Sequence, residues 1–325
     1  MADYADISRI GGQLPILTLT LNPALDMATE VPRMVPDEKL RCSEPRLDPG
    51  GGGLNVARAV HGLGGEALAL VALGGLTGDR LAELIRAEGV MFLGITGPGE
   101  TRQSLTVNEA STGRQYRFML PGPIWGEADQ NRVFTLLRAA GKPGGFAVIS
   151  GSQPPGVPID FPARLAAAMA GMRVVLDTSG QALTQAVDHP IDGLDVLRMD
   201  GEEAEALAGR TLETRAQTAD YAQTLVARGV ARQVIVARGA DGSVLAEAGQ
   251  RLFCKAPKVQ VKSKVGAGDS FVGGYVLGLA RGLAVDAALS QGVAAAAAAV
   301  MTEATELCRA EDVARLVAEA WVEAV

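Results

Sequence analysis

A chain of 325 residues that is 48% hydrophobic and 21% charged carries enough apolar material to bury a large core, which excludes disorder over most of its length and fits one large α/β unit, alone or with a small appendage. Its formal net charge of −7 is scattered in mixed-sign residues, which argues against a nucleic-acid surface, and neither a leader pattern in Met1–Gly12 nor an apolar run long enough to cross a membrane is visible. The three cysteines Cys42, Cys254 and Cys308 are odd in number and lack metal-ligand spacing, which suits a reducing cytoplasmic setting and a reading of all three as packing residues.

Residues 1–13 precede the first apolar run and read as a flexible tail; the folded unit is expected over 14–325. Pro15–Leu21 reads as a buried first strand ended by Asn22-Pro23. Asp26 is then expected at that strand's carboxyl end, where ligands of open parallel sheets collect; an ordinary turn aspartate is an equally good reading. From about 29 to 48, and again from about 102 to 120, short segments alternate polar and apolar residues without flanking helices. These two stretches are expected to form a small separate sheet, a lid, carrying Lys39, Arg41, Arg102 and Arg117. Scattered cations on a small sheet are commonly a solvated face; in the only two segments that leave the main pattern they also suit an anion.

Between the lid segments, Pro49-Gly50-Gly51-Gly52-Gly53-Leu54-Asn55 precedes a helix running to Leu63. Four consecutive glycines are a poor choice for stability and a good one where backbone must approach a small ligand. Asn55, on the first turn, can both donate and accept. Strand 67–71 and helix 79–87 follow at once, so the glycines are no linker. Further on, strands at 146–150, 173–177, 195–198 and 233–237 alternate with helices at about 160–171, 201–208 and 215–228, the pattern of a mainly parallel sheet covered on both faces. The C-terminal part is expected to be three helices, 266–281, 285–301 and 310–324, with the alanine-rich 294–300 buried.

Within that last part, Val265-Gly266-Ala267-Gly268-Asp269-Ser270 places a glycine turn and one carboxylate before an apolar helix. The unpaired N–H groups of such a first turn attract an anion. A carboxylate beside that anion is better explained as a base taking a proton from an attacking hydroxyl than as an anion ligand. The plain alternative is a tightly packed helix start.

Taken together, Leu19-Thr20-Leu21-Asn22-Pro23-Ala24-Leu25-Asp26, Lys39-Leu40-Arg41-Cys42, Pro49 to Ala59, Thr101-Arg102-Gln103, Gln115-Tyr116-Arg117-Phe118, Ile149 to Val157, Asp177-Thr178-Ser179-Gly180, Val265 to Ser270 and Leu307-Cys308 resemble the ribokinase/PfkB carbohydrate kinase family, in order along nearly the whole chain. The resemblance implies a ribokinase-like three-layer α/β/α sandwich, its sheet mainly parallel, with a small β-sheet lid. It implies an ATP-dependent kinase for a phosphorylated sugar, acting on the 1-hydroxyl of fructose 6-phosphate. Sister kinases for fructose 1-phosphate or tagatose 6-phosphate are the alternative, and a non-catalytic sugar-phosphate sensor is the reading from another class. By the same resemblance Asp269 is the base, and Gly266, Ala267 and Gly268 hold the transferring phosphoryl group. Asp26, Gly51, Gly52 and Asn55 bind the sugar, Lys39, Arg41 and Arg102 its phosphate, and Ser152 lines the cavity. Arg198, Asp200, Glu203, Ala237, Gly239, Gly242, Val293 and Ala297 face ATP, with Asp200 and Glu203 acting on Mg²⁺ through water. Ser263, Val265, Ala299, Thr302, Ala304 and Glu306 surround a monovalent cation, K⁺, and the lid makes a homodimer contact. One departure stands out: Arg198-Met199-Asp200 replaces the family's Lys-Pro-Asn, and the added negative charge of Asp200 is expected to be met by a metal or by Arg198.

Overall fold

The computed structural model describes residues 12–303 and 305–325. Residues 1–11 of the expected tail, and Ala304 of the expected cation site, lie outside the described residues.

β1 (Ile16–Thr20) is buried along its whole length. Its residues alternate between two apolar layers, Ile16 toward one and Leu17 and Leu19 toward the other, as a strand covered on both faces must. After Leu21–Pro23 the chain leaves this sheet and makes β2 (Ala24–Val31) and β3 (Arg46–Gly50). Asp26 therefore lies inside a lid strand and not at the carboxyl end of β1. Helix α1 (Gly52–Gly62), strand β4 (Leu68–Leu73), helix α2 (Gly75–Ala87) and strand β5 (Phe92–Thr96) return to the main body, and β6 (Arg102–Glu109) and β7 (Arg114–Met119) complete the lid. The lid order is β3-β2-β6-β7, with β2 and β6 parallel over eight paired residues.

The main body continues with α3 (Glu127–Ala140), β8 (Phe146–Ser150), α4 (Phe161–Ala168), β9 (Arg173–Asp177), α5 (Gly180–Asp188), β10 (Leu194–Met199), α6 (Gly201–Ala208), α7 (Arg215–Ala227) and β11 (Gln233–Ala237). Helices α3 and α5 were not anticipated. Their apolar positions recur at helical spacing, Val133 and Leu137 in one and Leu183, Ala186 and Val187 in the other, but polar neighbours dilute the signal. Three antiparallel strands then extend the sheet, β12 (Gly242–Glu247), β13 (Gln250–Lys255) and, after helices α8 (Ala267–Ala280), α9 (Val285–Ala299) and α10 (Ala310–Leu316), β14 (Val322–Ala324). The full order is β14-β13-β12-β11-β10-β9-β8-β1-β4-β5, parallel from β11 to β5.

The expected final helix 310–324 is thus cut short. It ends at Leu316, a 3-10 turn follows, and Val322–Ala324 pairs with β13, with Lys255 lying 6.0 Å over the Trp321 ring. An apolar strand edge needs a cover, and that tertiary demand outweighs local helix propensity. Helices α1, α8 and α9 pack on one face of the sheet and α3, α4, α5 and α7 on the other, completing the three layers. Cys254 and Cys308 are buried as expected, but Cys42 is exposed on the loop between β2 and β3. No helix among the described residues is long and apolar enough to cross a membrane.

The glycine loop owes its composition to crowding. A Cβ on Gly53 would meet the Leu19 carbonyl, with its carbon at 2.7 Å and Thr20 Oγ1 at 2.8 Å. Gly53→Ala is therefore expected to cost about 1–3 kcal/mol of stability, the usual size of an overpacking penalty, read as a fall of several degrees in melting temperature; an unchanged melt would contradict this packing.

Candidate active site

The two glycine bends, far apart in sequence, meet. Gly266 caps α8 with φ 75°, a left-handed conformation suited to glycine, and the turn brings Ala267, Gly268 and Asp269 to the start of a helix whose first N–H groups have no partner one turn back. Asn55, in the first turn of α1, donates from Nδ2 to Asp269 Oδ2 at 2.9 Å. A Cβ on Gly52 would strike Ser150 Oγ and come within 2.7 Å of Gly151 N, so the glycine loop lies directly on the carboxyl end of β8.

Facing this junction is a cavity of about 170 Å³ lined by Ser150, Gly151, Asp177, Thr178, Ser179, Arg198, Asp200, Glu203 and Asp269. It opens beyond the carboxyl ends of β8, β9 and β10, where open parallel sheets hold ligands. Arg198 Nη1 donates to Asp177 Oδ1 at 3.1 Å. Its guanidinium also lies against α8: a Cβ on Gly268 would be 3.1 Å from both terminal nitrogens. Burial works against the Arg198 charge, but Asp177, then Asp269 and Glu203, outweigh it and hold the group charged. Asp200 does not pair with Arg198. It is the N-cap of α6, accepting from Glu203 N at 2.9 Å while Glu203 Oε2 accepts from Asp200 N at 2.8 Å, and Arg198 pairs with Asp177 instead. An acid at this position serves a helix start as well as an amide does. Each carboxylate commits one oxygen to the box. Burial pushes the Glu203 carboxyl up, against the pull of the Asp200 backbone N–H.

Burial first, and the Asp177 charge second, raise Asp269 to about 6, against the pull of Asn55, Arg198 and Arg58. A buried carboxylate poised near neutrality, hydrogen-bonded at one oxygen and facing a polar cavity, is suited to accept a proton. Asp177→Asn removes the repelling charge. The acid limb of the pH profile for kcat/KM, governed by deprotonation of Asp269, should then move to lower pH than the wild-type midpoint near 6; a limb that stays or rises would deny Asp177 this influence.

On the lid side, Ser104 Oγ donates to Asp26 Oδ1, and burial holds the Asp26 carboxyl above its ordinary range. Arg102 Nε donates to Asn22 O at 3.1 Å, and Asn22 Nδ2 donates to Ser152 Oγ at 3.1 Å, so Arg102 and Ser152 are drawn to one corner. Burial lowers the Arg102 pKa and the Asp26 charge opposes that. Gly51, with φ 128°, joins this corner to α1. Lys39 and Arg41 stand apart, exposed on the β2–β3 loop, and Arg117 is exposed on β7.

Ala237 ends β11, Gly239 follows it and Gly242 begins β12. A 3-10 turn, Gly239–Asp241, is fixed by Arg238, which donates to the carbonyls of Leu212, Glu213 and Thr214. Ala237 O lies 3.2 Å from where a Gly201 Cβ would be, so this loop abuts the start of α6. Val293 and Ala297 are buried one turn apart on α9. Thr302 Oγ1 donates within reach of two carbonyls, Ala299 O at 2.7 Å and Glu306 O at 2.5 Å, and Ser263 Oγ accepts from Val265 N at 3.2 Å. The described members of the expected cation site are therefore neighbours, with Ala304 outside the described residues. Residues without an assigned role that the geometry brings to the site are Ser150 and Asp177, which line the cavity, and Arg58, buried behind it and bonded to Asn55. For Asp177 the signal was present, an acid ending a strand of a parallel sheet; Arg58 announces itself only by standing one turn after Asn55.

Residues 19–312 match the model of the pfkB family of carbohydrate kinases. The chain is 42% identical over 308 residues to the ATP-dependent 6-phosphofructokinase isozyme 2 of Mycobacterium tuberculosis, covering 94% of this chain and 89% of that one. It is 38% identical over 305 residues to the Escherichia coli protein of the same name, covering 93% and 98%. A crystal structure of Escherichia coli phosphofructokinase-2 in complex with fructose-6-phosphate superposes with a TM-score of 0.87 at 36% identity, covering 94% of this chain and 99% of that one.

Proposed function

The chain belongs to the pfkB family of carbohydrate kinases, and from that premise we propose that it is an ATP-dependent 6-phosphofructokinase, transferring the γ-phosphoryl group of ATP to the 1-hydroxyl of fructose 6-phosphate and releasing ADP and fructose 1,6-bisphosphate. The observation that carries this is Asp269, buried, raised to about 6 and held by Asn55 at the edge of a cavity that also presents Arg198, Asp177, Asp200 and Glu203. That relatives at 42% and 38% identity bear the name 6-phosphofructokinase supports fructose 6-phosphate rather than a sister sugar as the substrate of this chain.

In the proposed reaction the Asp269 carboxylate takes the proton of the 1-hydroxyl as its oxygen attacks the γ-phosphorus, and the bond to the ADP oxygen breaks. The N–H groups of Gly266, Ala267 and Gly268 and the Arg198 guanidinium bear the charge that spreads over the transferring group. Asp26, Gly51, Gly52 and Asn55 hold the sugar. Arg102, with Lys39 and Arg41 brought in by lid movement, binds the 6-phosphate, and Ser152 lines that corner. Ala237, Gly239, Gly242, Val293 and Ala297 form the adenosine side. The carboxylates of Asp200 and Glu203 are hard oxygen donors with an uncommitted second oxygen each, a fit to hydrated Mg²⁺; when bound, Mg²⁺ neutralises triphosphate charge. The carbonyls of Ala299 and Glu306 around Thr302, with Ser263 and Val265, fit a K⁺ ion, and Ala304 completes the assignment from outside the described residues.

We take 14–325 as one kinase domain with the lid at about 29–48 and 102–120, acting in the cytoplasm as a homodimer. The lid contact is supported by Phe118, Met119 and Leu120, exposed at 47%, 55% and 54% along and just beyond its edge strand, a large apolar row for a surface left open. A coupled ADP-release assay across fructose 6-phosphate, fructose 1-phosphate and tagatose 6-phosphate tests the assignment. The first sugar should give the highest kcat/KM. Silence on all three would overturn the kinase reading, and preference for another sugar would move the protein to a sister activity.

A further inference from the structure

Beneath the floor of the site lies a guanidinium that touches no space a substrate can reach. Arg58, on α1 one turn after Asn55, has a side chain only 7% exposed. All three nitrogens of its planar fork donate. Nε and Nη2 donate to Oε2 and Oε1 of Glu88 at 2.5 and 2.7 Å, and Nη1 donates to Pro49 O and to Asn55 Oδ1, both at 3.0 Å. Glu88 is the C-cap residue of α2 and Pro49 opens the glycine loop. One side chain thus ties together a second helix, the loop and the amide that holds the base.

The chemistry of these groups leaves the Asn55 amide one orientation. Arg58 is donor only, so it takes the amide oxygen; Asp269 as a carboxylate is acceptor only, so it takes the amide nitrogen. Turned over, the amide would present its N–H₂ to a guanidinium and its oxygen to a carboxylate, losing both bonds. Buried polar groups deprived of partners are costly, so the preference is strong.

We propose that Arg58, locked by Glu88, is a positioning residue for the reaction: it fixes the Asn55 amide so that its N–H₂ aims Asp269 and favours its deprotonated form. The inference rests on the kinase reading above and adds to it a relay, Glu88 to Arg58 to Asn55 to Asp269, that reaches from the far end of α2 to the base. Arg58 also lies near enough to Asp26 for its charge to act on both carboxylates, so the relay serves the sugar-binding and proton-accepting acids from a single buried cation. Lysine cannot replace it: an ammonium keeps the charge but cannot present a planar fork to Glu88, Pro49 and Asn55 at once.

The test compares wild type, Arg58→Lys and Glu88→Gln, each checked by thermal melting, for kcat, KM of both substrates and the pH profile of kcat/KM. Wild type is run first on the three sugar phosphates, so that its silence would count against the kinase reading and not against the relay. With wild type active, folded Arg58→Lys should lose about 10- to 100-fold in kcat, the usual cost of removing a supporting partner of a reacting group. The KM for ATP should stay within about twofold, and the acid limb should move to higher pH, because the bond that favours the Asp269 carboxylate is weakened. Glu88→Gln, at a partly exposed helix end, should shift both readouts the same way by less, and it decides the matter if Arg58→Lys does not fold. An unchanged kcat and acid limb in a folded variant would overturn the proposal. So would a loss of activity that follows the melting temperature while the acid limb stays in place, since that is how a purely structural ion pair behaves.

Discussion

Asp269→Asn is expected to bind ATP and fructose 6-phosphate within a few-fold of wild type while its turnover falls by about 10²–10⁴-fold, the contribution typical of a positioned general base. The substitution is close to isosteric, so the contact with Asn55 Nδ2 can be kept through the amide oxygen. What is lost is the capacity to take a proton. The same residue sets the pH dependence of the wild type. The base works deprotonated, and its pKa is raised to about 6, so kcat/KM should climb as pH rises through that value and level off above it. In Asp269→Asn the residual rate should lack that limb. Turnover equal to wild type, or a limb unchanged in the variant, would remove Asp269 from the chemistry.

Arg102→Ala should act on the other side of the rate equation. The guanidinium is partly buried beside Asp26 and anchored by Asn22 O, which places it ready for a phosphate rather than free to roam in solvent. Hydrogen bonds to charged groups contribute about 1.5–3 kcal/mol each, and each 1.4 kcal/mol is about a factor of ten. The KM for fructose 6-phosphate should therefore rise about 10- to 100-fold, with kcat and the KM for ATP changed little. Arg102→Lys should fall between, because it keeps the charge without the fork. An effect on kcat alone would show that Arg102 acts on the reacting centre and not on sugar-phosphate capture.

Much of this was legible from residue types alone. The strands that run parallel in the middle of the sheet are short apolar runs closed by turn residues, and burial on both faces gives that pattern its contrast. Asn55 and Asp269 were legible as candidates because each follows a glycine turn at the start of a helix, where backbone can approach a ligand closely. What escaped has a common physical cause, dependence on partners distant in sequence. Residues 322–324 become a strand because β13 presents an edge, and Asp26 belongs to the lid because Asn22-Pro23 turns the chain out of the main sheet within a few residues. Asp200 reads in sequence only as an added charge, and the fold shows it capping α6 through reciprocal bonds with Glu203. Arg58 reads in sequence as one more helix cation, and only the positions of Glu88 and Pro49 show why it is buried.

The pairing of β2 with β6 along all eight residues has a mechanical consequence. The lid is one stiff plate, not two independent flaps, and it is joined to the body by the segments 21–23, 97–101 and 120–126. Its fourth attachment is Gly51, where a side chain would come within 2.5 Å of Thr20 Cγ2 and which leads straight into the helix bearing Asn55. Any swing of the plate is thus delivered, through a single glycine joint, to the amide that steadies the base.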